Sequence, residues 1–413
     1  MVTTRGRLAL AAGASARWAS RVTGRGAGAM IGGLVALALD KSLLGQLGAG
    51  RRTVVVTGTN GKSTTTRMIA AALRTIADVA TNDTGANMDA GLVAALAGAR
   101  EAPLAALEVD EMHVPHVSDA VDPRVIVLLN LSRDQLDRVG EINHIERTLR
   151  AGLARHPSAV VIANCDDVLM TSAAYDSPNV VWVAAGGSWA NDSVSCPRSG
   201  EIILRDGGKS HDWRSTGTDF KRPSPHWWFD DTNIYGPDGF SLPMTLSLPG
   251  AVNRGNATQA VAAAVAMGAD PAAAVAAVSG VDEVAGRYRT VRLGDHTARV
   301  LLAKNPAGWQ EALSMVDKHG AGVVISVNGQ VPDGEDLSWL WDVRFEHFED
   351  THVVAAGERG TDLAVRLGYA GVEHTLVHDT LAAIASCPPG HVEVIANYTA
   401  FLQLNRVLER RGA

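Results

Sequence analysis

The stretch Thr53-Val54-Val55-Val56-Thr57-Gly58-Thr59-Asn60-Gly61-Lys62-Ser63-Thr64 limits what this chain can fold into more than any other. Its β-branched run reads as a strand buried on both faces, Gly58 and Gly61 punctuate a tight loop, and a helical pattern starts directly behind them. Strand, glycine loop and helix in that order call for a parallel α/β sheet, since the loop must carry the chain from a strand end into a crossover helix. The same geometry aims successive backbone N–H groups and the positive end of the helix at an anion. Lys62 is then placed to reach the outer phosphates of a nucleoside triphosphate, and Ser63 or Thr64 to hold its magnesium. Only Thr59 and Asn60 separate the glycines, a shorter spacing than the common Gly-x-x-x-x-Gly-Lys pattern.

Composition narrows the partners. The 413 residues imply about two to three domains, and a 46% hydrophobic, 20% charged composition is that of a globular chain with a sizeable core. A net charge of −7 and the lack of basic runs interleaved with aromatics exclude a nucleic-acid footprint. The three cysteines, 165, 196 and 387, are too few and too scattered for a disulfide framework and fit a reducing cytoplasm.

Residues 1–50 read as a separate N-terminal helical segment. Leu8 to Ala14 is a small apolar run behind Arg5 and Arg7, and Arg17, Arg21 and Arg25 follow it. This pattern describes an amphipathic helix with a basic face rather than a cleaved secretory signal. Ala27 to Leu39 is uncharged but too short and Gly-rich to span a bilayer. No transmembrane segment is expected, and any membrane contact is peripheral, at the inner face of the membrane.

Further strands are expected at Leu104–Val109, Val125–Leu129 and Ala159–Ile162, each followed by polar residues: Glu108, Asp110 and Glu111, then Asn130, then Asn164, Asp166 and Asp167. A single carboxylate after a strand is usually a helix cap, but several strand ends beside a phosphate loop point to a metal and nucleotide site. From about Val183 to Asp231 the composition turns to Ser, Gly, Pro, Asp and Trp, which marks an insertion. Helical patterns return at Asn256–Met267 and Pro271–Val278. Strand and helix signals from Thr290 onward make a second α/β domain. The expected division is a central ATP-binding domain over 51–295 and a C-terminal domain over 296–413.

The phosphate loop resembles that of the Mur ligases and folylpolyglutamate synthetases, ATP-dependent enzymes that join carboxylates to amines. More narrowly, the chain resembles the MurT family, the Mur-ligase-like synthetase subunits of lipid II isoglutaminyl synthases. The likeness runs through Thr84-Gly85-Ala86-Asn87, Leu107-Glu108-Val109-Asp110-Glu111, Asn130-Leu131-Ser132-Arg133-Asp134-Gln135-Leu136-Asp137-Arg138, Asn253 and Asn256, Gly286-Arg287, Lys304-Asn305-Pro306-Ala307-Gly308, Ser338-Trp339-Leu340-Trp341-Asp342 and Tyr398-Thr399-Ala400. It implies a central P-loop ATPase domain interrupted by a degenerate zinc ribbon, with a smaller α/β domain behind. In such enzymes a substrate carboxylate attacks the γ-phosphate of ATP, and an amine displaces phosphate from the resulting acyl phosphate. By the same resemblance Lys62 neutralises the transferring phosphoryl group, Ser63 and Glu108 support magnesium, Asn253 and Asn256 face adenine, and Arg287 lies near the nucleotide. Without it, Asn253 and Asn256 read as loop and helix-cap residues.

The departures are informative too. Mur ligases commonly carry an Asp-His pair where this chain has Asp134-Gln135, and a carbamylated lysine beyond it, yet Arg138 through Asp167 contains no lysine. A ribose-binding aspartate would fall near Leu301. Where the family's zinc ribbon has two Cys-x-x-Cys knuckles, this chain reads Cys196-Pro197-Arg198-Ser199 and Ser215-Thr216-Gly217-Thr218. With Cys196 alone remaining no zinc is expected, His211 and His226 read as surface histidines, and Trp213, Trp227, Trp228 and Phe229 are left to hold the segment.

No cysteine here reads as a nucleophile able to release ammonia from glutamine, so the resemblance implies a GatD-like glutaminase partner forming a heterodimer. It implies amidation of the D-glutamate α-carboxyl of the lipid II stem peptide to D-isoglutamine. The acidic, aromatic stretch from Asp333 to Asp350 would then be an interface element, with Asp342 orienting the partner's catalytic histidine and Gly357, Arg359 and Asp362 as supports. Three readings compete with this one: a conventional amino-acid-adding Mur ligase, a folate polyglutamating enzyme and a noncatalytic nucleotide-binding scaffold.

Overall fold

The computed structural model describes residues 2–22, 29–82, 85–133, 141–187, 189, 191–206, 211–282, 288–317, 320–346, 348 and 351–411. They divide into two compact units, one made of Met1–Leu131 and Gly140–Asp282, the other of Ser132–Val139 and Glu283–Ala413.

The first unit is built on six parallel strands: β1 (Arg52–Thr57), β2 (Val79–Thr81), β3 (Leu104–Glu108), β4 (Val125–Leu128), β5 (Val160–Asn164) and β6 (Val180–Val183). Their order is β2-β3-β1-β4-β5-β6. β1, β3 and β4 are buried from Thr53, Leu104 and Val125 onward, which is why they read as unbroken apolar runs. The order reverses at β1, whose neighbours β3 and β4 both come later in the chain. A ligand crevice opens at the carboxyl ends of strands at such a point.

The segment 1–50 is not an appendage to this sheet. Its helices, Thr4–Val22, Ala29–Leu39 and Leu43–Gly48, contribute Ala9, Leu10, Ala36, Leu43, Leu44 and Leu47 to the same core cluster as Val55 and Leu107. Glycines let these helices approach closely. A Cβ on Gly13 would lie 2.5 Å from the Gly32 carbonyl oxygen, and one on Gly33 2.0 Å from that of Ala90, in helix Asp89–Gly98.

The insertion forms two small antiparallel sheets. One pairs β7 (Ile203–Arg205) with β8 (Trp213–Ser215), and the other joins β9 (Trp228–Phe229), β10 (Asn233–Tyr235) and β11 (Ser241–Pro243), so the irregular region continues past Asp231. Asp230 closes the β9–β10 turn. It accepts hydrogen bonds from the Tyr235 hydroxyl and from the backbone N–H groups of Asn233 and Thr232, which hold its carboxyl well below the usual range.

The second unit carries β12 (Tyr288–Leu293), β13 (His296–Leu302), β14 (Gly322–Ser326), β15 (Val353–Ala356), β16 (His374–Leu376) and β17 (Gly390–Ala396), ordered β12-β13-β17-β14-β15-β16. Only the β12–β13 pair is antiparallel. The units divide after Asp282 rather than near 296, because β12 pairs along its length with β13 and belongs to the second sheet. Leu301 pairs with Ile395 and lies in that sheet's apolar cluster.

Gly33→Ala sets a methyl group against backbone that cannot swing aside. It should destabilise the chain by about 2 kcal/mol, read as a lowered urea midpoint, whereas Gly50→Ala, with nothing within 4 Å of its Cβ, reports backbone strain alone.

Candidate nucleotide and phosphoryl-transfer site

The site begins where β1 ends. Gly58 and Gly61 have φ of 143° and 83°, conformations that only glycine adopts readily, and they turn the chain from Thr57 into the helix Lys62–Leu73. Gly58 also passes close under the neighbouring strand end, since a Cβ there would sit 2.8 Å from Leu129 Cβ. Asn130 fixes the loop from that side. Its carbonyl oxygen accepts from Thr59 N (2.9 Å), its side-chain Oδ1 from Asn60 N (2.9 Å), and its Nδ2 donates to Asn60 O (3.0 Å). Sequence reasoning marked Asn130 as a polar strand end and part of the Mur-type motif without a role of its own; the register that pairs Thr57 with Leu128 is what brings it to the loop.

Lys62 is buried and turned back over the loop. Its Nζ donates to Gly58 O at 2.6 Å and lies 3.3 Å from Glu111 Oε1. Glu108, the last residue of β3, is held by a reciprocal pair with Asn82: Glu108 N donates to Asn82 Oδ1 (2.8 Å) and Asn82 Nδ2 to Glu108 O (2.8 Å). Asn87 Nδ2 approaches Glu108 Oε1 at 3.4 Å, while Oε2 is buried with no hydrogen-bond partner among the described residues. A buried carboxylate oxygen left without a partner is costly unless a cation or donor completes it, and it fits magnesium, a hard cation that takes oxygen ligands. Ser63 Oγ faces Gly85, the nearest atom to a Cβ built there at 4.0 Å, so the missing side chain leaves room beside the hydroxyl.

The helix Ala251–Ala266 lines the other wall with Asn253, Asn256 and Gln259, spaced three apart on one face and all buried. The Asn256 amide packs against the loop, its Oδ1 2.8 Å from the Cβ position of Gly61. Asn253 Nδ2 donates to Pro249 O at 2.6 Å, and Gln259 Nε2, which sequence reasoning passed over, donates to Leu128 O at 3.0 Å. Arg287, Asp134 and Gln135 lie outside the described residues.

The carboxylates after β5 have structural work. Asp166 takes Arg222 Nε at 2.7 Å and Gly186 N at 2.7 Å. Asp167 caps the helix Val168–Ala174 by accepting from Met170 N (2.8 Å) and also accepts from Leu131 N (3.0 Å). Burial pushes the Asp167 carboxyl up to about 6, against the lowering effect of those N–H groups.

The thiols are all buried. Burial raises Cys165 to about 12 and raises Cys387, so neither is poised as a nucleophile. Burial also acts upward on Cys196, but hydrogen bonding from the Ser199 hydroxyl and from the Arg198 and Ser199 backbone outweighs it, leaving that thiol below its usual value. Cys196 packs with Val168, Ile203, Trp213 and Phe220, and Trp213 Nε1 donates to Cys165 O at 3.0 Å. Trp213 and Phe220 meet at 5.0 Å, an aromatic pair at the heart of the insertion. Trp227 packs on Phe240, and Trp228 stacks on Tyr235. His211 and His226 are exposed, and His226 Nδ1 accepts from Trp182 N.

In the second unit Asp342 follows the 3-10 turn Ser338–Trp341 and lies 3.7 Å from Arg133, in the segment grouped with that unit. Its loop is organised by Arg366, which is buried and donates to Leu340 O, Val343 O and Glu346 Oε1 while its guanidinium lies over Trp341 and Phe345. Trp339 stacks on Trp309 in the core, but Trp341 is 56% exposed against Tyr369. Arg359 and Asp362 pair with each other at 2.8 Å, and Gly357, at φ 91°, passes against Val327.

The Mur ligase middle domain family matches residues 56–264, from the second half of β1 to the helix that carries Asn253 and Asn256. The chain belongs to the Mur ligase family. The family described as MurT ligase C-terminal matches residues 302–401. The MurT subunit of the lipid II isoglutaminyl synthase (glutamine-hydrolyzing) of Streptococcus pneumoniae is 28% identical over 98% of this chain and 97% of its own length. Its counterpart from Staphylococcus aureus strain COL is 28% identical over 95% and 96%. The chain is thus a Mur ligase of the MurT type. Among solved structures, a pseudomurein peptide ligase type C from Methanothermus fervidus shares the fold at TM-score 0.70 and 17% identity, covering 87% of this chain and 79% of that one. MurF from Acinetobacter baumannii does so at TM-score 0.65 and 17% identity, over 91% and 80%.

Two outcomes follow from this geometry. Asn130→Ala removes both amide bonds to Asn60 and should weaken binding of a fluorescent ATP analogue about ten-fold or more, while thermal stability falls by about 1 kcal/mol. For Asp167, the folded pKa of about 6 stands above its ordinary 3.8. The folded state therefore binds the extra proton between these values, and this group adds stability as pH falls from 6 toward 4. Asp167→Asn should remove that increment, flattening the pH dependence of the denaturation midpoint across the window.

Proposed function

We propose that this chain is the ATP-dependent synthetase subunit of a lipid II isoglutaminyl synthase, which amidates the α-carboxyl of D-glutamate in the stem peptide to give D-isoglutamine. The observation that carries the reading is the union, on one chain, of a Mur-type phosphate loop facing Glu108 with a MurT-type C-terminal domain that bears Asp342. The substrate carboxylate attacks the γ-phosphorus of ATP, ADP leaves, and ammonia then attacks the acyl carbon and expels phosphate.

The chain's own groups serve that sequence by position and charge. Lys62, held over the loop by Gly58 O and Glu111, swings to the phosphate chain when the loop amides are filled. Gly58, Thr59, Asn60 and Gly61 offer backbone N–H groups to the phosphates, and Thr64 closes the helix start. Glu108 Oε2 and Ser63 Oγ are the atoms that would hold magnesium, which when bound neutralises phosphate charge. Asn253 and Asn256 flank the nucleotide, and Arg287 acts beside it. Ammonia comes from a GatD-like glutaminase whose catalytic histidine is oriented by Asp342; the raised Cys165 and Cys387 and the enclosure of the lowered Cys196 thiol among Val168, Ile203, Trp213 and Phe220 support its origin outside this chain. The heterodimer works in the cytoplasm at the inner face of the membrane, where its lipid-linked substrate lies. The insertion carries no zinc on this reading, because of the four knuckle positions only Cys196 keeps a thiol, with Ser199, Ser215 and Thr218 at the others.

With ATP, magnesium, ammonium and lipid II the wild-type chain should yield a product whose mass reflects OH replaced by NH₂. Lys62→Ala should abolish it with folding intact. Failure of the wild-type reaction with every carboxylate tried would favour a noncatalytic scaffold. Asp342→Asn should cut glutamine-driven amidation by about 10⁴-fold, by analogy with loss of the orienting aspartate in a catalytic triad, while leaving the ammonium-driven rate unchanged; equal losses in both would move Asp342 out of the partner's chemistry. Elemental analysis of protein purified without chelator should find far less than one zinc per chain.

A further inference from the structure

Asp89, His113 and His116 bring three donor atoms, one carboxylate oxygen and two ring nitrogens, within 4.8 Å of one another. The carboxylate opens the helix Asp89–Gly98, and the imidazoles stand three residues apart at the start of the helix Val114–Val121, a spacing that sets both rings on one side. These helices follow β2 and β3, neighbouring parallel strands, so the group lies at the carboxyl ends of the sheet, as the phosphate loop does.

Asp89 Oδ1 is 2.8 Å from His116 Nε2 and 3.5 Å from His113 Nδ1, and the two rings meet edge-on with 5.2 Å between centroids. Donors about 2.0–2.1 Å from a tetrahedral zinc ion stand about 3.3 Å apart. The His113 separation is close to that value. The His116 separation is that of a hydrogen bond, and lengthens by about half an ångström when a metal ion takes the place of the proton.

The His113 nitrogen is the informative one. It is buried, makes no hydrogen bond among the described residues and caps no helix end. Burial without a partner is costly for such an atom. The helix dipole accounts for Asp89 in a first helical turn, and an ion pair accounts for His116, but neither requires a second imidazole turned on the same oxygen. The backbone beneath these side chains is fixed. A Cβ on Gly91 would lie 2.2 Å from Ala86 O, which presses the first helix against the loop that leads into it. His113 N donates to Asp110 O at 2.9 Å, and Asp110 N to Asn87 O at 3.1 Å. Asn87, whose amide approaches Glu108, is thereby tied to both donor-bearing segments.

We propose that Asp89, His113 and His116 bind one divalent transition-metal ion of the zinc type, with water completing its coordination, and that the ion clamps the two helix starts together beside Glu108. Two imidazoles with one carboxylate select zinc and its neighbours over magnesium and calcium, which take oxygen donors. The donors are distinct from Glu108 and Ser63, and the site stands whatever reaction the chain performs. With side chains 33 to 50% exposed, three donors release their ion during purification, and occupancy is read by titration.

The test is isothermal titration of the full, chelator-treated chain with zinc chloride in the absence of nucleotide. Wild type should bind one equivalent, keep it in a large excess of magnesium, and melt at a higher temperature with zinc than without. Asp89→Asn, His113→Ala and His116→Ala should each weaken binding more than about 100-fold, beyond the range for a group that only supports a ligand, and abolish the zinc-dependent rise in melting temperature. His116 is the most exposed of the three, and His116→Ala should keep the wild-type circular dichroism spectrum. Cobalt in place of zinc should show no thiolate charge-transfer absorption, which a site built on Cys196 would produce. No zinc binding by wild type, displacement by magnesium, wild-type affinity in any of the three variants, or a thiolate band with cobalt would each overturn the proposal.

Discussion

The reciprocal amide pair between Asn60 and Asn130 is the interaction on which the nucleotide site depends. A loop whose backbone N–H groups must all point inward cannot satisfy itself, and without an outside partner it would relax toward conformations that bind water instead. Asn130 supplies one acceptor and one donor to Asn60 and a backbone carbonyl to Thr59, so the loop is held before any phosphate arrives. That arrangement needs β1 and β4 to end at the same level, which their parallel register provides. It also needs glycine at 58, because the strand end beside it leaves no room for a side chain.

Around this loop the chain sorts its carboxylates by what surrounds them. Glu108 ends one apolar strand and Asp167 follows another, yet Asp167 is taken up by a helix N-terminus and by Leu131 N, whereas Glu108 keeps one buried oxygen without a partner among the described residues. The difference is one of neighbours rather than of residue type. Asn82 binds the backbone of Glu108 and leaves its carboxylate out of that pairing, while Glu111 is set against Lys62. A cation entering there meets a carboxylate whose desolvation has already been met by the fold.

The second unit uses an analogous device with the opposite sign. Its acidic, tryptophan-rich loop is ordered from below by the guanidinium of Arg366, which binds two backbone carbonyls and Glu346 and lies against Trp341 and Phe345. A planar, always charged group suits this task because it satisfies several carbonyls in one plane while its faces pack on rings. Asp342 is thereby presented on a braced turn, paired with Arg133 and half-buried.

The sequence by itself determined the class of fold, the strand-loop-helix of the phosphate site and four of the six strands of the first sheet, because those depend on local pattern: β-branched runs and glycines at fixed offsets. It did not reveal the parts that long-range packing decides. Asn130 was legible as a polar strand end near the site but its task was not, and Gln259 gave no signal, until register and helix placement brought them to the loop and to Leu128. Asp166 and Asp167 matched Glu108 in pattern and turned out to be bound to Arg222 and to a helix end. The N-terminal helices gave no sign of sharing a core with β1, since the glycine contacts that admit them are with backbone distant in sequence. The division of the chain was displaced from 296 for the same reason: β12 is assigned to its sheet by its partner β13, and strand pairing is a property of two segments that neither carries alone.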